Sequence, residues 1–426
     1  MLYKKFIKYP KTSARKLRFS GCSLFRERNE MLIAEHSLHF RPTGNVLVCG
    51  EGGKEVISPP AVTRLYAEGK NLLLYGGGTL YRLSGTFAAV GNVAEPNGAA
   101  VYNTQSGEEK TYLVTADGVY CAEYRGVRMV RVGGASCCAV HYERLFTASG
   151  FRVRWSRALA PEDWTESPQG AGYVDLPSDG GNIVALIPYK EKLYLFRERG
   201  ISQLRVLGDN LNFKAVEMPF ACGNIAPLSV VNCGERILFI TENGLYAFNG
   251  GVCARLKGSG SHLWESVSQA AFRGSRYYAC IKTKTDGIRL FSYDCEEETG
   301  YFMRARAQSV ACCRETYYVE DGTLFRVTPC GFSPLDRFEC TLKTELSSFG
   351  LSYGMKYLDG IALGGKGYFR IRAENERGEG CAVYGKAGEE LRFPCPVRGT
   401  AFCLKIYAYT ESARLGEIAV ALREEG

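Results

Sequence analysis

Histidine is scarce in this chain. Only His36, His39, His141 and His262 occur in 426 residues, and none stands in a metal-ligand pattern. His36 and His39 would share a helical face, but the surrounding "SLHF" reads as extended. The 17 cysteines include no C-x-x-C spacing, which leaves zinc and dithiol redox motifs without a basis. No G-x-S-x-G elbow occurs, and "GSGSH" (258–262) does not match one. "GGKG" (364–367) lacks the spacing of a phosphate loop, and no helix-forming stretch follows "YGGG". No apolar run approaches the length of a membrane span. The N-terminal "MLYKKFIKYPKTSARK" lacks the apolar core and cleavage site of a secretory signal, so the chain is expected to stay where it is made. Helical periodicity is rare. These absences point away from a metal or cofactor enzyme and toward a non-catalytic protein with no cofactor.

Strands and turns are abundant. Residues 237–248, "ILFITENGLYAF", read as a β-hairpin: pleat-packing side chains flank Asn243-Gly244, which supplies the positive φ of a tight turn. Comparable hairpins surround Gly78, Gly118, Gly150, Gly200, Gly287 and Gly322, and with Gly244 the successive turn glycines lie 32–50 residues apart. Repeats of roughly 40–50 residues, each a small antiparallel sheet, mark a β-propeller. One blade cannot bury both faces, so the unit must recur around a ring. The spacing is too irregular for WD40 or kelch repeats. "LPSDGG" (176–181) has the flavour of a sialidase Asp-box without its tryptophan.

A chain this long is expected to form more than one domain. Residues 1–57 read as a basic arm and lead-in strand, 58–332 as the propeller, 333–340 as a linker, and 341–426 as a compact β-sandwich for docking. The expected class is all-β, with six or seven blades and seven favoured. The last hairpin lacks a fourth strand, which an incoming strand from 45–57 or 61–67 is expected to supply. Cysteine is scattered through apolar text, and the adjacent pairs Cys137-Cys138 and Cys312-Cys313 should point to opposite faces of their strands. Buried thiols in a reducing compartment are the simplest reading.

Charge is uneven. Residues 1–42 carry ten basic side chains against three acidic ones, a net +7, while the whole chain is +8. Lys4, Lys5, Lys8, Lys11, Arg15, Lys16 and Arg18 form the core of this arm and are its candidate partner-binding residues. Three readings stay open: solvation, contact with nucleic acid, or a seat on an acidic protein surface such as a neighbouring subunit. The interleaved Tyr3, Phe6, Tyr9 and Phe19 favour the protein seat.

One stretch is more specific. Residues 153–206 run "VRWSRALAPEDWTESPQGAGYVDLPSDGGNIVALIPYKEKLYLFRERGISQLRV". Its W-S, P-x-x-W and glycine-rich turn resemble a blade of propeller-bearing tailed-bacteriophage virion proteins, of the tail nozzle and packaged-DNA-stabilisation (tail hub) type. The lead-in "RFSGCSLFRER…RPTGNVLV" and the C-terminal "SSFGLSYGMKYLDGIALGGKGYFRIRAE" are similar to the same family. Cysteine and charged residues stand near the start where that family is usually asparagine-rich. The resemblance implies a structural component of the virion tail or neck, assembled in the bacterial cytoplasm. It would form a symmetric ring and contact adjacent tail or neck proteins and packaged DNA. A sugar-binding or sugar-cleaving propeller for host recognition is the alternative, and convergent aromatics and carboxylates at the ring axis would favour it. Within the stretch, Trp155, Pro161 and Trp164 are read as structural, with both indoles capping the gaps between blades. Gly244 is structural in its turn.

Overall fold

A computed structural model of the chain describes residues 13–17, 34–38, 40–43, 46–56, 59, 61–123, 126–206, 209–220, 222–256, 264–284, 286–329, 340–349 and 354–424. The described residues are all-β, and their only helical pieces are two three-residue 3-10 turns, Ser178–Gly180 and Asn210–Asn212. No helix among them is long and apolar enough to cross a membrane.

Successive four-stranded antiparallel units account for most of the chain. The first five span 62–92, 98–132, 137–175, 183–218 and 231–255, each a simple meander. The sixth, 264–302, continues into a nine-stranded sheet. The seventh takes three strands from 309–328 and its fourth from the N-terminal side. All the turn glycines named above mark the step from the second to the third strand of their units: Gly78, Gly150 and Gly322 lie between the two, and Gly118, Gly200, Gly244 and Gly287 open the third. In the 237–248 hairpin the positive φ belongs to Gly244 alone, at 132°, and Asn243 keeps an ordinary negative φ.

The cores lie between the units. One cluster joins the first unit to the second (Leu73, Leu113), another the second to the third (Tyr112, Leu145), and so on around. The last joins the seventh back to the first through Val319, Leu324, Leu65 and Leu74. The first strands of consecutive units also neighbour one another in a closed cycle. This is a propeller-like arrangement: each sheet hides both faces only because it has a neighbour on each side. The adjacent cysteines divide accordingly. Cys137 belongs to the cluster shared with the fourth unit, while Cys138 packs on the one shared with the second. Cys312 and Cys313 split in the same way.

The N-terminal segments do not form a separate arm where they are described. Strand β1 (Ser13–Leu17) pairs with strand Arg414–Glu424, so the backbone of Arg15 and Lys16 lies opposite Val420 and Ala419. Strand β2 (Ala34–Leu38) runs between Thr299–Phe302 and Cys340–Thr344 and makes the nine-stranded sheet continuous. Strands β3 (Phe40–Thr43) and β4 (Val46–Cys49) extend the six-stranded C-terminal sheet. Only β5 (Gly52–Val56) serves the ring, pairing with Thr323–Thr328. Residues 46–49, expected as lead-in to the ring, are thus spent elsewhere. The strand at 62–68, the other candidate for closure, opens the first unit.

The two C-terminal sheets share one core. Phe40, Leu47, Leu358, Ile361, Ile418 and Val420 from the six-stranded sheet meet Leu342, Ile371, Leu404 and Ile406 from the nine-stranded one. Residues 333–339 of the expected linker lie outside the described residues, and Cys340 already belongs to a strand.

Candidate functional site

Two of the concavities in this architecture are candidates for a site. The first is the axis of the ring, a channel of about 390 Å³ lined by the first strands of all the units or the residues flanking them. Tyr66, Asn97, Asn232, Gln269 and Phe272 are its larger or polar lining groups, and the rest are aliphatic, glycine or cysteine. No Asp, Glu, Lys, Arg or His is among them. Gln269 is tied into the wall: its amide donates to the Leu65 carbonyl at 2.7 Å and accepts from Ser309 Oγ at 2.5 Å. Burial pushes the Cys137 and Cys312 thiols up to about 12, so they stay protonated and unreactive at neutral pH. Among the described lining residues, the only ionisable groups are these two thiols, that of Cys138 and the Tyr66 hydroxyl.

The second is a groove of about 610 Å³ between the second and third units, walled by Tyr102, Tyr112, Gln105 and the loop at 159–163. This loop carries the P-x-x-W phrase. Glu162 accepts from Arg128 at 2.7 Å and from the Tyr112 hydroxyl at 3.1 Å. Arg128 above all holds this carboxyl below the usual carboxylate range. Asp163 is lowered too, chiefly by the Thr165 backbone N–H at 3.0 Å. Acid–base cleavage of a glycoside needs one carboxyl raised and one ionised. Here both are lowered, which is not the pair of one raised and one ionised carboxyl that such cleavage uses.

The structural residues expected from sequence fall on these same elements. Trp155 is buried at the end of strand Arg152–Trp155, in the cluster between the third and fourth units. Its indole N–H donates to Asn210 Oδ1 at 2.9 Å. Asn210 in turn donates to the carbonyls of Ser167 and Gly170, each at 2.8 Å, which fastens the 165–171 loop. A side chain at Gly172 would collide with the indole, its Cβ falling 2.8 Å from Trp155 Cζ2. Pro161 is buried. Trp164 lies one interface away, between the second and third units, but only half-buried, with the Arg131 guanidinium 5.3 Å from its ring centroid. The two indoles therefore serve different gaps with unequal burial. Of the basic arm, Lys4, Lys5, Lys8, Lys11 and Arg18 lie outside the described residues, as do His39 and His262. Gln269 and Asn97 were missed from sequence, because nothing local marks a strand as facing the axis.

His141 is a structural group. Its ring lies 4.2 Å from that of Tyr142 and 6.3 Å from that of Phe146, and burial holds its pKa down at about 4, against an ordinary 6.5. As pH falls, the unfolded chain takes this proton first, so stability is full above about 6.5 and declines toward 4. The decline is expected to be at most about 3 kcal/mol. Urea titrations across this range should show that slope in the wild type and a flatter one in His141→Gln. Equal slopes would contradict the assignment.

No protein-family model and no curated protein matches the chain. Among solved structures, the extracellular domain of the hybrid two-component system BT4673 of B. thetaiotaomicron is similar at 10% identity and TM-score 0.49, with 80% of this chain matched to 56% of that one. The corresponding domain of BT3049 matches at 12% identity and TM-score 0.46, over 78% of this chain and 47% of that one. A computationally designed protein matches at 10% identity and TM-score 0.41, over 66% of this chain and 98% of that one. The chain thus spans about half the length of these two Bacteroides domains.

Proposed function

We propose that this chain is a non-enzymatic structural component of a bacteriophage or phage-derived particle, forming part of the tail or neck channel as a ring. In this reading the repeated units are the blades of a seven-bladed β-propeller, and the C-terminal sheets form a β-sandwich that docks neighbouring virion proteins. The closed cycle of first strands and the cores between units support the blade count. The single core common to both C-terminal sheets supports the sandwich. The observation that carries the non-enzymatic part is the axial channel, whose lining has no ionisable acid or base apart from thiols and one tyrosine. The phage assignment rests on the W-S/P-x-x-W stretch and its flanking phrases.

The groove between the second and third units favours one other reading. Gln105, Ser106, Lys110, Glu162 and Asp163 offer donors and acceptors of the kind a sugar uses, over a floor made by the buried Tyr102 and Tyr112, which suits a carbohydrate-binding propeller.

Mass photometry separates the two. The full chain should populate a closed oligomer, as head-to-tail contacts give when their rotation closes. A variant lacking residues 1–12, cut before β1 so that the edge of Arg414–Glu424 stays covered, should keep its circular dichroism and lose that oligomer. A monomer at every concentration, with glycan binding abolished by Gln105→Ala at the exposed rim of the groove, would favour the sugar reading instead.

A further inference from the structure

The outer face of the C-terminal end of the nine-stranded sheet has a composition of its own. Strands Cys340–Thr344, Phe402–Ala408, Tyr368–Asn375 and Gly380–Lys386 lie side by side, all antiparallel. Alternation sends Leu342, Ile406 and Ile371 inward to the core. The opposite parity faces out. In register across three strands stand Tyr407, Arg370 and Tyr384, with the Arg370 guanidinium 5.6 Å from the centroid of each ring. Beside them Tyr368 pairs with Lys386, and Arg372 with Lys405, which pairs with Lys343. Tyr368 is 65% exposed and Tyr384 66%. Among the described residues, five cations on these outward positions share the face with one carboxylate, Glu374, which Lys405 and Arg372 approach at 2.7 and 2.8 Å.

A surplus of positive charge calls for an anionic partner, and the rings narrow its chemistry. Aromatic faces standing among cations suit a polyanion that carries flat groups of its own. Four strands about 4.8 Å apart span roughly 14 Å, wider than the ~12 Å major groove of duplex DNA. The face cannot enter that groove, whereas unpaired bases can lie on the rings while their phosphates meet the cations. We propose that this face binds single-stranded nucleic acid, with Tyr384 and Tyr407 as stacking platforms and Arg370, Arg372, Lys386 and Lys405 meeting the backbone. The inference is independent of the ring assignment above.

Fluorescence polarisation with labelled oligo-dT and a matching duplex, titrated with full-length protein at two salt concentrations, tests it. The single strand should bind more tightly than the duplex, and the affinity should fall steeply with salt. Tyr384→Ala and Tyr407→Ala should each weaken binding roughly five- to hundredfold, while the corresponding phenylalanine variants keep it, since stacking uses the ring. Circular dichroism of each variant checks that it folds. The variant lacking residues 1–12 should still bind, which separates this face from the basic arm. Absence of binding at low salt, equal affinity for duplex, or alanine variants that bind like wild type would overturn the proposal. So would displacement of the oligonucleotide by polyglutamate as readily as by unlabelled oligo-dT, which would make the face a seat for acidic polypeptide.

Discussion

Glu51→Leu is expected to destabilise the protein by about 3–5 kcal/mol, the usual loss when one partner of a buried charged network is removed. Glu51 lies one residue before β5 and is only 6% exposed. Its carboxylate accepts from the Tyr278 hydroxyl at 3.0 Å and from Ser292 Oγ and the Tyr301 hydroxyl at 3.1 Å each. Its backbone N–H donates to the Tyr301 oxygen at 2.9 Å, and Arg276 stands 3.7 Å away. All four partners belong to the sixth unit, while β5 completes the seventh. Glu51 thus fixes the strand that closes the ring to the blade beside it. A leucine would leave three buried hydroxyls without their acceptor, while Arg276 would keep Asp294 at 2.8 Å. Urea unfolding should report the loss, and amide exchange at 52–56 and 323–328 should accelerate more than elsewhere. A change under about 1 kcal/mol with those amides still protected would show that β5 holds without Glu51.

The second large effect is expected at Trp155. Trp155→Ala should cost about 3–5 kcal/mol, as deletion of a fully buried aromatic does. The indole is 1% exposed, with Phe213 4.8 Å away and Phe146 6.1 Å away between ring centroids. It also anchors Asn210 and, through it, the 165–171 loop. Trp164→Ala should cost only about 1–2 kcal/mol, since that ring is only partly buried and only part of its transfer energy is at stake. Chemical denaturation of both variants gives the comparison. Equal losses would mean that the half-buried indole carries more of the interface than its exposure indicates.

The ring was legible in the sequence because its signals are local. Gly78, Gly150, Gly287 and Gly322 mark turns through their own positive φ, and the apolar runs beside them are short enough to be strands. Gly118 reads the same way, although its φ is not positive; the neighbouring Thr115 hydroxyl, which accepts from the Gly118 N–H at 3.1 Å, shapes that turn instead. Pairing between distant segments leaves no such mark. "VLVC" at 46–49 is a strand from its composition, yet nothing in it says that its partners lie at 40–43 and 414–415. "GGKEV" at 52–56 is poor in strand-forming residues and still closes the ring, because three strands at 309–328 leave an edge that must be covered.

The sites were less legible than the fold, for the same reason. Trp155 and Trp164 carry similar local text, and what separates their burial is the loop geometry set by Asn210, more than forty residues away from both. The face at 368–386 did carry a signal. "YFRIRAE" places Tyr368, Arg370 and Arg372 on one parity and Phe369, Ile371 and Ala373 on the other, which already distinguishes an outer basic-aromatic face from a core. What it lacked was the neighbours, Tyr384 and Tyr407, that the register brings alongside Arg370.

The most direct measurement is a quantitative protein inventory, by mass spectrometry, of particles purified from bacteria that produce this chain. The account predicts the chain in intact particles at a fixed copy number, co-purifying with tail or neck proteins through a density gradient. Its recovery only in the soluble fraction, absent from particles that are otherwise complete, would contradict it.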